Sequence, residues 1–270
     1  MDDQLQVHGV DWMDDKGFTG QGVNVLVYEW AGSEHSDRVA DAVRYMAPGA
    51  QVFQAWFDPG RQDMLELIRF IVDNRIHVMN ISLASAGTAG RFVRTLNDFV
   101  KRGLLVFCAA GNHGDRGPFG LAREVGITVG GAGLDDQGRP VRDDTSGITR
   151  YLDFLFQRPP LPQGGMGTSF ASPMSAGFAA RILSGHGRFD QYQLYDLLRA
   201  LSRPVLVREP GIRTLELRGA DQWDPAAGWG MPVYDPNIVE QVLRRRETDD
   251  STERKARFLE RFLDRGGQDG

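Results

Sequence analysis

Gly164-Gly165-Met166-Gly167-Thr168-Ser169-Phe170-Ala171-Ser172-Pro173 is the stretch of this 270-residue chain on which the fold reading turns. Its three glycines allow a tight turn, and the run Ser169 to Ser184 that follows is small and apolar, a helix able to pack deep in a core. A serine where such a turn enters a helix has an exposed hydroxyl. Its backbone N–H is one of the first of the helix, which lack intrahelical acceptors. That N–H can receive an anion, including the oxyanion of an acyl-transfer intermediate. The hydroxyl itself is a poor nucleophile without a base beside it. Taken alone, Gly-Thr-Ser reads as a plain N-cap.

Upstream of this stretch, strands and helices alternate. Val23 to Glu29 is a β-branched apolar run and reads as a buried strand. Asp37 to Met46 reads as a helix with Val39, Ala40, Val43 and Met46 on one face, ended by Ala47-Pro48-Gly49. Strands are expected at Gln51 to Phe57, His77 to Leu83, Leu104 to Ala109 and Gly126 to Gly131. Helices are expected at Gln62 to Asn74 and Phe92 to Lys101. Buried strands separated by helices imply parallel pairing and right-handed crossovers. The expected fold class is α/β, a three-layer sandwich with a mostly parallel central sheet and helices on both faces. Asp135 to Gln163, rich in Asp, Arg, Gly and Pro, reads as irregular surface structure. Beyond the Ser169 helix come a helix at Gln191 to Leu201, strands and turns over 203–234, and a helix from Pro236 to Arg245.

Composition narrows the function. Hydrophobic residues are 41% and charged residues 25%, as in globular domains. A net charge of -5 argues against a general nucleic-acid binder. No apolar run reaches the roughly 18 residues of a membrane span. Cys108 is the only cysteine, and in its apolar strand it reads as a small buried hydrophobe. The 33 glycines form no phosphate-binding loop, and the five histidines show no His-Glu-x-x-His spacing.

A base for Ser169 must come from His8, His35, His77, His113 or His186. His35 stands at a helix start, six residues after Glu29 ends a strand. A carboxylate on one imidazole nitrogen would leave the other facing a serine. His77 and His186 read as structural, His8 as part of a mobile chain start, and His113 as a groove-lining residue. Asn112, in Ala109-Ala110-Gly111-Asn112-His113-Gly114, offers a side-chain amide after a buried strand. It can donate to an oxyanion, or simply serve a turn.

Five segments in this order resemble the subtilisin-like serine peptidases, over most of residues 10 to 243. Gly20 to Glu29 looks like the strand that carries the family's acid, and His35-Ser36-Asp37-Arg38-Val39-Ala40 like its histidine helix start. Val78-Met79-Asn80-Ile81-Ser82-Leu83-Ala84 and Ala109 to Gly114 look like the substrate strand and oxyanion loop. Gly167-Thr168-Ser169-Phe170-Ala171-Ser172-Pro173 is similar to the nucleophile signature. The resemblance implies Ser169 as nucleophile, His35 as general base, Glu29 as orienting acid and Asn112 as oxyanion donor. It implies Ser82, Leu83 and Ala84 pairing with an extended peptide or protein substrate. Ala109, Ala110 and Gly111 would wall its specificity pocket. No cofactor is implied.

The sequence also departs from the family. Glu29 replaces an aspartate, Arg38 and Met174 replace histidines, and Ala84 replaces a glycine. The short step from Glu29 to His35 lacks the family's calcium-bearing excursion, so no metal is expected there. With neither leader nor pro-region read at its start, a cytoplasmic protein is expected. The peptidase domain is assigned to 1–245 and a charged tail to 246–270. Within 247–270, Phe258, Leu259, Phe262 and Leu263 form an apolar stripe that reads first as cover for the protein's own surface or part of a solvated linker, and second as a surface for a partner or a second copy. The competing function is a weak or inactive relative that binds peptides or acts as a scaffold.

Overall fold

The computed structural model describes residues 3–29, 33–56, 64–82, 90–113, 125–160, 167–208 and 214–246. Strand β1 (Asn24–Glu29) shows how its sequence makes layers. Successive side chains of a strand point to opposite faces. Val25 and Val27 enter one core cluster and Leu26 and Tyr28 another, and all four are buried. Strands β3 (Val78–Ile81) and β4 (Leu105–Ala109) divide in the same way. Val78, Leu105 and Phe107 face the first cluster, and Met79, Ile81, Val106 and Cys108 the second. A sheet apolar on both faces must be covered on both.

The sheet is therefore the middle of three layers. β2 (Gln51–Trp56), β1, β3, β4, β5 (Ile127–Leu134) and β7 (Phe154–Gln157) pair in parallel in that order. β6 (Pro140–Arg142) turns back antiparallel on β5, and β9 (Val205–Arg208) and β10 (Leu215–Arg218) extend the sheet beyond it. Short strands β8 (Ser202–Arg203) and β11 (Met231–Pro232) form a separate pair. Helices α4 (Met64–Asp73) and α5 (Gly90–Val100) cover one face through Leu67, Ile71, Phe92 and Leu96. Helices α3 (Glu34–Met46), α6 (Thr168–His186) and α7 (Gln191–Leu201) cover the other. α8 (Pro236–Arg246) packs outside α7.

α6 has no polar face for most of its length, because it lies between the sheet and α3. Gly177 sets how closely these two helices approach. A Cβ there would stand 2.7 Å from Met46 Cβ and 3.1 Å from the Val43 carbonyl oxygen. At the far end of α6 the buried Arg181 pairs with Asp14 at 2.6 Å and donates to the carbonyl oxygens of Phe18 and Met46.

Two expectations are corrected. The segment expected to be irregular surface contains β6 and β7, and Phe154, Leu155 and Phe156 are fully buried. Its Asp and Pro residues do not mark exposure, since the buried Asp153 carboxylate accepts from the Thr128 N–H. The chain start is also not loose. α1 (Asp3–Gln6) and α2 (Val10–Asp15) precede β1, with Val10 and Met13 fully buried. His8 is fully buried between them. Its Nδ1 donates to the Pro232 carbonyl oxygen at 2.8 Å, and its Nε2 accepts from the Gln157 N–H at 3.2 Å. His77 precedes β3 and accepts from the Asn24 N–H, while His186 meets the Tyr234 hydroxyl at 2.7 Å. Phe57, Leu83 and the tail 247–270 lie outside the described residues. Among the described residues, no helix is long and apolar enough to cross a membrane.

Candidate active site

β1 ends on Glu29, whose side chain is 2% exposed. α3 begins at Glu34, with the Ser33 hydroxyl accepting from the Ser36 N–H as N-cap. Gln54 of β2 donates to the Ser36 hydroxyl and the Asp37 carboxylate, fastening this first turn to the sheet. His35 is thereby set at the sheet's C-terminal edge, with its Nδ1 3.6 Å from Glu29 Oε2. Burial, and secondarily the Arg38 cation, hold the His35 pKa below its usual value. Asp41 is engaged by Arg44 and Asp37 by Gln54.

The turn before α6 requires a glycine at 167. Its φ is +99°, and a Cβ would come within 2.5 Å of Asn112 Nδ2. Asn112 lies against that Cα. Its Oδ1 accepts from the Thr168 N–H at 2.7 Å and from the Thr168 hydroxyl at 3.1 Å. The Thr168 hydroxyl also accepts from the Gly111 N–H at 3.0 Å, tying the end of β4 to the start of α6. With Oδ1 so occupied, the Asn112 Nδ2 is the end left to donate. Among the described residues nothing accepts from the Ser169 N–H, as expected in the first turn of a helix. Two donors are therefore available beside one hydroxyl.

Beneath Ser169 lies a polar network that motif reading did not isolate. Pro173 has no N–H, so the Ser169 carbonyl loses its helical donor. The Ser82 hydroxyl replaces it at 2.9 Å. Asn80 Nδ2 donates to the Ser82 hydroxyl at 2.9 Å, and the Ser172 hydroxyl donates to Asn80 Oδ1 at 2.7 Å. Asn80 and Ser172 are fully buried. A proline four residues after Ser169 was the signal that could have found this network. The Ser169 hydroxyl itself donates to the Ser82 carbonyl oxygen at 3.3 Å. Among the described residues it makes no hydrogen bond to His35.

Of the residues expected to line a substrate groove, Ser82 sits directly against Ser169. Ala109 ends β4, and Ala110 is fully buried in a cluster with Leu152 and Leu155. Gly111 is buried and its carbonyl accepts from the Gly147 N–H. Leu83, Ala84, Gly114 and residues 164–166 lie outside the described residues. Phe170, which follows Ser169, meets the His35 imidazole edge-on at 5.5 Å.

Compared by sequence, the chain matches no family model and no curated protein. Its fold does match solved structures. Fervidolysin from Fervidobacterium pennivorans, a keratinolytic enzyme related to subtilisin, is similar over 89% of this chain, with a TM-score of 0.68 and 16% identity. The fold is subtilisin-like. The S41 psychrophilic protease is similar over 80% of this chain and 93% of its own, with a TM-score of 0.61 and 20% identity. The serine protease of Aeromonas sobria is similar over 90% of this chain and 63% of its own, with a TM-score of 0.60 and 16% identity. The chain spans 45% of the length of fervidolysin. In this subtilisin-like fold, Glu29, His35, Asn112 and Ser169 all lie at the C-terminal ends of parallel strands or on the elements that follow them. Open α/β sheets bind their ligands at that edge.

Proposed function

We propose that this chain is a serine endopeptidase that cleaves peptide bonds through an acyl-enzyme. Ser169 attacks the carbonyl carbon while His35 takes the hydroxyl proton. His35 then returns that proton to the leaving amine, and water clears the ester by the reverse use of the same groups. Glu29 holds the imidazole tautomer and stabilises the imidazolium. The Ser169 N–H and Asn112 Nδ2 receive the oxyanion, a contribution commonly worth a factor of about 10²–10³ per donor. The observation that carries the reading is the Glu29–His35 pair, 3.6 Å apart, on the elements that meet the glycine-bounded start of α6. An extended peptide would lie along the strand end at Ser82 and the residues after it.

A second reading is a peptide-binding module without turnover. The Ser169 hydroxyl donation to the Ser82 carbonyl rather than to His35 favours it. Catalytic hydrogen bonds are often loose before substrate binds, so this observation weighs less than the assembled set. A fluorophosphonate probe decides between the two. It is expected to label the folded chain, and Ser169→Ala is expected to abolish labelling. Peptide binding that survives Ser169→Ala, with no labelling of the parent chain at any pH, would establish the binding module instead.

A further inference from the structure

Arg38 lies one helical turn beyond His35 on α3, so the two side chains leave neighbouring positions on one face. They meet the same ring. The Arg38 guanidinium carbon stands 5.2 Å from the Phe170 centroid, and the His35 imidazole stands 5.5 Å from it at 61°. Phe170 is 4% exposed and directly follows the nucleophile. A cation over an aromatic face is attracted by the ring quadrupole. Phe170 therefore fixes both the base and the cation against the start of α6.

Among the described residues the cation is otherwise uncompensated. Arg38 has no ion pair among the described residues, and its Nη2 is buried without a hydrogen-bond partner. A partly desolvated charge without a counter-ion acts on the nearest titratable group with little screening. Among the described residues, the groups facing His35 are few. Glu29 approaches from β1 at 3.6 Å. Glu34 and Asp37 on α3 are exposed, and Asp37 is engaged by Gln54 of β2. α6 contributes the neutral Phe170 ring, and His113 after β4 is exposed. Glu29 and Arg38 thus act on the imidazole with opposite signs. Glu29 favours the imidazolium, and Arg38 favours the neutral ring.

We propose that Arg38 is a positioning residue, clamped on Phe170, that keeps His35 in its neutral, proton-accepting form. The proposal rests on the peptidase reading of the site and assigns Arg38 a task that reading leaves open. The lowered pKa of His35, to which the Arg38 charge contributes after burial, agrees with it. Its use would be to extend the working range toward lower pH, because a protonated His35 cannot accept from Ser169.

The test is a histidine NMR titration of the full chain carrying Ser169→Ala, with Arg38, Arg38→Lys or Arg38→Met. The midpoint of His35 is expected to rise in Arg38→Met and to stay near that of the parent in Arg38→Lys. In the chain with Ser169 intact, the acid limb of kcat/KM is expected to move to higher pH in Arg38→Met. On that limb kcat/KM should fall about 1.5- to 5-fold, the range of a partly screened charge pair, with no loss at the alkaline plateau. An unmoved His35 midpoint in folded Arg38→Met overturns the proposal, as does a lowered plateau with an unmoved limb. Arg38→Gln serves as a second neutral variant if Arg38→Met does not fold. A chain without turnover would sink the peptidase reading, while the titration would still decide the effect of Arg38 on His35.

Discussion

On the peptidase reading, Glu29 stands in for an aspartate and is one methylene longer. Its side chain is 2% exposed, and His35 Nδ1 lies 3.6 Å from its Oε2, long for a hydrogen bond but close for a charge pair. On the peptidase reading, Glu29→Gln keeps the shape and removes the charge. The expected loss in kcat is about 10³–10⁴-fold, as for amide replacement of an orienting carboxylate elsewhere. Glu29→Asp draws the carboxylate back by one methylene and is expected to cost about 10²-fold. Steady-state assays of both variants on one peptide check this, and near-parental activity in Glu29→Gln would remove Glu29 from the mechanism. Residues of this kind were legible because each sits in a short stretch whose neighbours explain it. Gly167 before Ser169 and Gly111 before Asn112 announce turns. Arg38, Phe170 and Asn80 were not legible as a site, because their importance lies in contacts between segments far apart in the chain.

Among the elements, the pair that matters is α3 against α6, since one carries His35 and the other Ser169. Their separation depends on Gly177, where a Cβ would strike Met46 Cβ at 2.7 Å. Gly177→Ala gains helix propensity of about 1 kcal/mol and forces an overpacked contact of about 1–3 kcal/mol. A net fall in Tm is expected, at about 2–4 °C for each kcal/mol lost. On the peptidase reading the same shift displaces His35 from Ser169, so kcat should fall more than KM rises. Calorimetry and kinetics on the one variant test both, and unchanged Tm and kcat together would show that α3 and α6 do not depend on this contact. The parallel strands and their covering helices were legible from apolar runs and their caps. β7 was not, because Leu152-Asp153-Phe154-Leu155-Phe156 stands among turn formers and its buried Asp153 mimics a surface residue. Pattern reading weighs composition, whereas the Thr128 N–H that satisfies Asp153 comes from another strand.

At the scale of the whole molecule, the chain start closes the fold rather than hanging from it, and His8 is its clasp. The imidazole stacks on Phe156 at 4.7 Å and joins β7 to the Met231–Pro232 strand through its two nitrogens. That pattern needs a neutral ring, since Nδ1 donates while Nε2 accepts from a backbone N–H. A second proton would set two donors face to face. Burial accordingly lowers the His8 pKa to about 4 from 6.5, against a smaller upward pull from its bond to Pro232. The unfolded chain therefore binds this proton more readily than the folded one, so stability falls as pH drops from 6.5 toward about 4. The full linkage amounts to about 3 kcal/mol. His35, His77 and His186 also titrate lower when folded and add to the same slope. The His8 share is isolated by comparison with His8→Phe, which cannot take the proton. Urea midpoints at pH 7 and pH 4.5 are expected to differ more in the parent than in His8→Phe, while His8→Phe is the less stable at pH 7 for want of the two hydrogen bonds. Equal differences in the two proteins would mean that His8 is not the group that loosens the fold in acid.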